Sequence, residues 1–336
     1  MAIKRAALIG CGDVATVHFE SIDAIDDIEL VAVCDTAPKQ LATAVERTGA
    51  KGYASTAELL ADKANFDVVH VTTPHCEHAD PVVACLEAGV NVIQEKPLAH
   101  TLEDGRRIMA AAEKSSAKIG VCLQNRYNVS SQQMRRVLDE GTLGEITGGY
   151  AHVIWTRSAQ YYQNRPWRGT WAGSGGGVLI NQALHTLDLV QWLLGPVEKV
   201  KGRAQTLKFD DVIEVEDTAE AMFTHESGVR SGFFATLTSP IDHPVRLEIV
   251  GTKARAVIDD GLTVYDLDGQ VLEEHAERKA KSAGRTYWGV SHELFIRDFY
   301  EKLDDPEPFW ISPAESFKSL QMLKEIYAQT PELAAK

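Results

Sequence analysis

Gly10-Cys11-Gly12-Asp13-Val14-Ala15 has a spacing suited to cradling a pyrophosphate. It reads G-x-G-x-x-A, directly behind the apolar run Ala6–Ile9 and directly ahead of a helical pattern. In that setting Gly10 permits a tight turn, Gly12 lets the backbone approach a phosphate, and Ala15 lets the helix pack close to the strand. The phosphates would rest on the helix N-terminus, where unpaired N–H groups and the helix dipole favour an anion. Asp35 ends a second apolar run, 20 residues beyond Ala15, where a carboxylate would accept hydrogen bonds from an adenosine ribose. The same charge would repel a 2′-phosphate, so NAD is expected over NADP, with Lys39 the nearby cation that would soften the preference.

Such a loop needs a parallel sheet behind it. Apolar runs at Arg5–Ile9, Glu29–Cys34, Asp67–Val71, Asn91–Gln94 and Lys118–Leu123 alternate with helical spacing at Val14–Ile25, Pro38–Thr48, Cys76–Ala88 and Leu102–Lys114. Strict alternation predicts βαβ units and a parallel sheet. Beyond residue 125 the pattern changes. A helix (Ser130–Glu140) and a long strand (Glu145–Trp155) lead into an irregular segment, Thr156–Gly177, and a single helix, Val178–Leu194. Strands at Val197–Leu207, Glu216–Thr224, Val229–Thr238, Val245–Val250, Ala254–Ile258 and Leu262–Asp266 follow in succession, and helices near Tyr287–Leu303 and Pro313–Gln329 close the chain. The fold class expected is α/β: an N-terminal Rossmann domain with a parallel sheet (residues 1–125), then a C-terminal α+β domain with a large, mostly antiparallel open sheet (residues 126–336).

Composition narrows the partners. The 336 residues carry a formal net charge of −14 and no long basic run, which argues against nucleic acid and against an anionic membrane surface. Five cysteines, Cys11, Cys34, Cys76, Cys85 and Cys122, form no CxxC pair, and suit free thiols in a reducing cytoplasm. The start, Lys4-Arg5 and then Ala6–Ile9 before Cys11, has an apolar stretch shorter than the roughly 7–15 residues of a signal core, so a first strand is expected there. No window of about 18 apolar residues suggests a membrane span. His75, Cys76 and His78 are too closely spaced for a standard metal set, and no metal is expected.

Glu95-Lys96-Pro97 lies at the C-terminal end of a parallel strand, the edge where ligands bind in open α/β sheets. Together with the glycine fingerprint, Thr73-Pro74-His75-Cys76-Glu77-His78 and Gly175-Gly176-Gly177…His185…Asp188, it resembles the Gfo/Idh/MocA family over nearly the whole chain. That resemblance implies an NAD(P)-dependent enzyme acting on sugars, cyclitols and related polyols, assembled as a homodimer or homotetramer. It implies that Lys96 lies beside both nicotinamide and substrate and that His185 is the second catalytic residue, with Asn181 standing where the family has Asp. The cofactor contacts expected are Gly10, Cys11, Gly12, Asp13, Val14, Ala15, Asp35, Thr72, Pro74, His78, Glu95 and Lys96. The chemistry is explicable without the family. Oxidising an alcohol needs a base for the hydroxyl proton, which a neutral imidazole supplies near neutral pH. A lysine can stabilise the developing alkoxide. Asn181 and His185, i and i+4 on one helix, would share a face. Asn181 can orient a hydroxyl but cannot take its proton, and Asp188 is the replacement carboxylate, with a structural role for it the stronger reading.

Arg157, Arg165, Arg168, Tyr161, Tyr162, Trp167 and Trp171 crowd the irregular segment, and Asn125-Arg126-Tyr127 follows the last parallel strand. Aromatic faces stack on sugar rings and arginine forks bind anionic groups. Lys96, Arg126, Tyr127, Trp167, Arg168, Asn181 and His185 are therefore the expected substrate contacts, for a pyranose-type ring that carries an anionic group. Three functions fit these residues: a dehydrogenase of ring hydroxyls, a glycosidase that borrows the same redox step without net NADH, and a non-catalytic dinucleotide-binding sensor.

Overall fold

Short β-branched runs separated by amphipathic helices produce the first sheet. The structure, a computed structural model, describes residues 3–278 and 291–334. Strands β1 (Lys4–Ile9), β2 (Ile28–Cys34), β3 (Lys51–Tyr53), β4 (Val68–Val71), β5 (Asn91–Gln94) and β6 (Ile119–Val121) pair in the order β3-β2-β1-β4-β5-β6, all parallel. Helices α1 (Ala15–Asp23), α2 (Pro38–Thr48), α3 (Thr56–Ala61), α4 (Ala79–Glu87) and α5 (Leu102–Lys114) connect them. β4 is buried along its whole length, as a central strand covered on both faces must be. The order reverses between β1 and β4, which places a topological switch point at their C-terminal ends. β3 and α3, with three and six residues, are elements that the hydrophobic pattern did not reveal.

The second unit contains α6 (Val129–Asp139), β7 (Ile146–Ile154), α7 (Ala159–Gln163), α8 (Trp171–Ser174), α9 (Val178–Asn181) and α10 (Leu184–Leu194). β8 (Val197–Gln205), β9 (Thr218–His225), β10 (Arg230–Thr236), β11 (Arg246–Gly251), β12 (Ala254–Asp259), β13 (Gly261–Asp266) and β14 (Val271–Ala276) complete it. Its eight strands run β14-β13-β12-β11-β7-β10-β9-β8, antiparallel throughout except where β7 meets β10. One face carries Ala151, Phe223, Phe233 and Ala235 into the core. The other exposes Tyr150, Met222 and Phe234.

Two expectations need correction. The single helix over Val178–Leu194 is broken at Gln182-Ala183, where the Val178 carbonyl accepts both the Gln182 and the Ala183 N–H and the next turn restarts from Ala183. The second domain is also not one continuous stretch. Residues 291–317, including α11 (Ser291–Glu301) and the start of α12 (Pro313–Ala328), pack with residues 1–123, and the second unit comprises 124–290 and 318–336. The reason is apolar: Phe295, Ile296, Phe299 and Phe309 are buried, and a Cβ at Gly120 in β6 would lie 2.8 Å from the rings of Phe299 and Phe309. The Val121 N–H donates to the Ile311 carbonyl, so this returning segment also satisfies part of β6. Residues 287–290 of the expected helix lie outside the described residues. All five cysteines are free, and no helix among the described residues is long and apolar enough to cross a membrane.

Candidate active site

In the first unit, the glycine loop has the form that its spacing predicts. Gly10 adopts φ 94°, and a Cβ there would meet the Thr73 nitrogen at 2.8 Å. Gly12 is exposed, and a Cβ on it would touch nothing within 4 Å, so its surface stays open to an approaching group. Val14 gives α1 no side-chain cap, and the first turn holds no acidic residue. Those uncapped N–H groups fit a pyrophosphate. Asp35 fastens the loop to the end of β2: its Oδ2 accepts the Cys11 N–H at 2.7 Å and its Oδ1 accepts the Ala37 N–H at 2.7 Å. Burial, and then the Asp35 charge, push the Cys11 thiol up to about 12, so it acts as packing and not as a nucleophile. Thr72 donates its hydroxyl to the Ile9 and Gly10 carbonyls at 3.2 and 2.5 Å, bracing the loop from β4. Asp13 is exposed and Pro74 half-buried at the same edge.

At the end of β5, Lys96 is half-exposed and is followed by a cis peptide to Pro97. Glu95 and His78, expected against the cofactor, are turned inward instead. His78 is 1% exposed, with Nδ1 2.8 Å from the Pro97 carbonyl and Nε2 2.9 Å from the Thr73 carbonyl. It therefore ties the Lys96 loop to the loop after β4. Glu95 is 4% exposed; its Oε1 lies 3.0 Å from His18 Nε2 and 3.2 Å from His292 Nε2, and its Oε2 accepts the Lys96 N–H at 3.1 Å. Burial drives its pKa up, but the hydrogen bonds from His18 and His292 outweigh that and hold it well below the usual carboxylate range. His18, Glu95, Cys122 and His292 bring ligand-type atoms within 4.8 Å of one another, the one such buried group among the described residues.

In the second unit, every side chain from Val178 to Gln191 is buried except Asn181 and His185, which are half-exposed. The helix break separates them onto α9 and α10, so the simple i, i+4 argument no longer applies, yet both reach the surface. His185 has an unforeseen neighbour, Gln124, whose Nε2 lies 3.4 Å from His185 Nε2. Gln124 directly precedes the Asn125-Arg126-Tyr127 run, and that adjacency was the available clue. Arg126 is corrected from substrate contact to framework: it is 1% exposed and clamps Asp188 through two 2.7 Å hydrogen bonds. Tyr127 is half-buried.

Glu216 supports the glycine run ahead of α9. Its carboxylate accepts the Gly177 and Leu179 N–H groups at 2.7 and 2.9 Å and the Tyr327 hydroxyl at 2.7 Å. Side chains at Gly176 or Gly177 would collide with the Tyr327 hydroxyl or the Glu216 carbonyl, which explains the run. Desolvation raises Glu216 to about 6. In the sequence Glu216 shows only as the start of a strand, which itself begins at Thr218. Nearby, Arg168 lies over the Tyr161 and Trp167 rings, 4.6 and 5.7 Å from their centres, and Arg157 lies over Tyr161 and Trp155, 5.4 Å from each. Gln182 donates to the Tyr161 hydroxyl at 2.9 Å. Arg157 also stands 3.6 Å from Asp242.

Residues 4–123 match the oxidoreductase family with an NAD-binding Rossmann fold, and residues 131–257 match the GFO/IDH/MocA C-terminal domain. The WlbA dehydrogenase from Chromobacterium violaceum, solved with NADH and UDP-GlcNAcA, is 33% identical with a TM-score of 0.85, covering 99% of this chain and 95% of its own. D-apiose dehydrogenase from Paraburkholderia graminis is 30% identical over 227 residues, 68% of this chain and 59% of that enzyme's length. Myo-inositol 2-dehydrogenase from Thermotoga maritima is 26% identical over 260 residues, 76% of this chain and 75% of that enzyme. With both of its domains matched and dehydrogenases among its relatives, the chain belongs to the GFO/IDH/MocA family of NAD-binding oxidoreductases, enzymes of the sugar and cyclitol dehydrogenase type.

Proposed function

We propose that this chain uses NAD to oxidise a ring hydroxyl of a pyranose bearing anionic groups, such as a sugar acid or a nucleoside-diphosphate sugar. The observation that carries the reading is the pair Asn181 and His185, the half-exposed side chains of an otherwise buried stretch. A bound nicotinamide supplies the hydride acceptor for the carbon being oxidised. His185 takes the hydroxyl proton as that carbon becomes a carbonyl, with Gln124 holding the imidazole. Lys96 donates a hydrogen bond to the reacting oxygen and stabilises its growing negative charge. Asn181 orients a neighbouring hydroxyl, and Asp188, engaged by Arg126, supplies no carboxylate to His185.

The anionic character rests on Arg168 and Arg157, which lie over aromatic rings in a chain of net charge −14. An arginine fork binds carboxylate or phosphate in two-pronged fashion. The UDP-GlcNAcA bound to the 33% identical WlbA dehydrogenase supports the same class. NAD is preferred to NADP through Asp35. The protein assembles as a homodimer or homotetramer through the open sheet face, where Tyr150, Met222 and Phe234 are 42, 43 and 37% exposed.

The test is NADH formation with a UDP-linked sugar acid, its neutral UDP-hexose counterpart and a simple neutral glycoside, with Arg168→Gln alongside. Preference for the acid, reduced in the variant, supports the reading. Equal turnover of all three, unchanged by Arg168→Gln, overturns the anionic assignment. Release of free aglycone without NADH would indicate glycoside cleavage instead.

A further inference from the structure

Tyr300, His70, His18, Glu95 and His292, all buried in the first unit, form a chain that the proposed reaction leaves unused. Tyr300 Oη lies 3.1 Å from His70 Nε2, His70 Nδ1 lies 2.9 Å from His18 Nδ1, and His18 and His292 each present Nε2 to Glu95 Oε1. One placement of protons satisfies every link. Tyr300 donates to His70 Nε2, His70 Nδ1–H donates to His18 Nδ1, and the Nε2–H groups of His18 and His292 donate to Glu95. The reverse placement strips His18 Nε2 of its proton and sets a bare lone pair against a carboxylate. The favoured pattern leaves His18 and His70 neutral, as their burial demands, and Glu95 an anion that also accepts the Lys96 N–H.

The place of that anion in the sheet gives it a task. A dinucleotide spans the C-terminal edge of such a sheet with its halves on either side of the switch point. Asp35 at β2 marks the adenosine side, so the nicotinamide half falls toward the ends of β4 and β5, where Glu95 lies. An oxidised nicotinamide carries a positive charge on its ring and a reduced one does not. We propose that Glu95, hydrogen-bonded by His18 and His292 and held in a chain that runs on to His70 and Tyr300, sets the redox preference of the cofactor site by favouring NAD+ over NADH.

This inference rests on the proposed dinucleotide site, and the experiment separates the two. Dissociation constants for NAD+ and for NADH are measured on the full chain without sugar, for the unmodified protein and for Glu95→Gln. A fixed charge at protein-like screening acts over several ångströms, so the NAD+-to-NADH affinity ratio should fall about threefold or more in the variant. A purely structural role would weaken both forms together and leave the ratio unchanged, which overturns the inference. Failure of both forms to bind the unmodified protein overturns the proposed function and the inference with it. A second measurement needs no variant at Glu95: nitrogen-resolved NMR of the imidazoles, assigned through His70→Leu and His292→Leu. It should show His18 neutral with Nε2–H and His70 neutral with Nδ1–H, and a charged ring at His18 would overturn it. So would a divalent ion retained by the purified protein and lost in Cys122→Ser, since that ion would neutralise the carboxylate.

Discussion

Arg126 and Asp188 meet in a buried, two-pronged ion pair, with Nε donating to Oδ2 and Nη2 to Oδ1, both at 2.7 Å, and each side chain 1% exposed. The pair joins the segment carrying Gln124 to the helix carrying His185, and the Arg126 guanidinium also sits 5.3 Å from the Trp192 ring centre. Removing one partner strands a buried charge, a loss of about 3–5 kcal/mol. Asp188→Leu alone and Arg126→Met alone should each lower stability by that order in urea unfolding. The double replacement should recover much of it. A fully additive double variant would show that the two do not depend on each other.

Lys96→Ala and His185→Ala should each lower turnover by roughly 10²-fold or more, the scale of lost acid–base assistance. NAD affinity should change little, because the glycine loop and Asp35 are untouched. Gln124→Leu should lower kcat less than loss of His185, through a misplaced ring. Asn181→Asp should alter the pH profile while retaining activity, as a carboxylate joins the imidazole. Undiminished turnover after His185→Ala would require a different base.

These residues also mark what the chain declares locally and what it does not. The loop from Gly10 to Ala15 and the glycine-free β4 are local features: turn, strand and helix start within a few residues of each other, and periodicity records them. Lys96 and His185 are singled out only through a family resemblance. Arg126 looked like a ligand because its partner lies 62 residues away and pairing leaves no periodic trace. The break at Gln182-Ala183 carries neither Gly nor Pro, so nothing in the pattern interrupts the helix. The return of α11 to the first unit is a tertiary choice by Phe299 and Phe309 against Gly120, whose apolar spacing would suit either unit.

Asp35 should make NAD bind more tightly than NADP, by about tenfold or more, because a 2′-phosphate would face its carboxylate. Asp35→Ala should narrow the difference. It should also weaken NAD, since the same carboxylate holds the Cys11 and Ala37 N–H groups that shape the loop. Fluorescence titration of both cofactors is the measurement. NADP affinity equal to or above that of NAD in the unmodified protein would refute the preference.

The sheet face with Tyr150, Met222 and Phe234 should govern assembly. Its exposed apolar groups stand among Lys201, Arg203 and Glu220, a mixture suited to a self-complementary contact. Met222→Glu combined with Phe234→Glu should shift light-scattering mass to the monomer while leaving the circular dichroism unchanged. An unaltered mass would move the interface elsewhere.

Glu216 should leave a signature in the pH dependence of stability. Burial raises it from 4.5 to about 6, against the three donors that favour its ionised form. The folded chain then holds a proton that the unfolded chain has released over that interval, so ∂ΔG/∂pH from this group is negative. Its contribution is full below about pH 4.5 and is lost as pH rises through about 6, amounting to roughly 2 kcal/mol for a shift of this size. Lys324, lowered to about 8 chiefly by burial, stays protonated in both states across the same interval and adds no slope. Glu216→Gln cannot titrate. The stability difference between the unmodified protein and this variant, measured by denaturant unfolding from about pH 4.5 to pH 7, should therefore shift by that amount in the variant's favour. The position of Glu216 beneath Gly177 and Leu179 links that titration to the backbone leading into Asn181 and His185. Amide exchange in the segment 175–183 should accordingly slow, relative to intrinsic rates, as pH falls below about 6 in the unmodified protein and not in the variant, because opening that exposes Glu216 must release the proton the closed form holds. A pH-independent stability difference would mean that Glu216 ionises as it does in the unfolded chain, and that the hydrogen bonds to its carboxylate offset its burial in full.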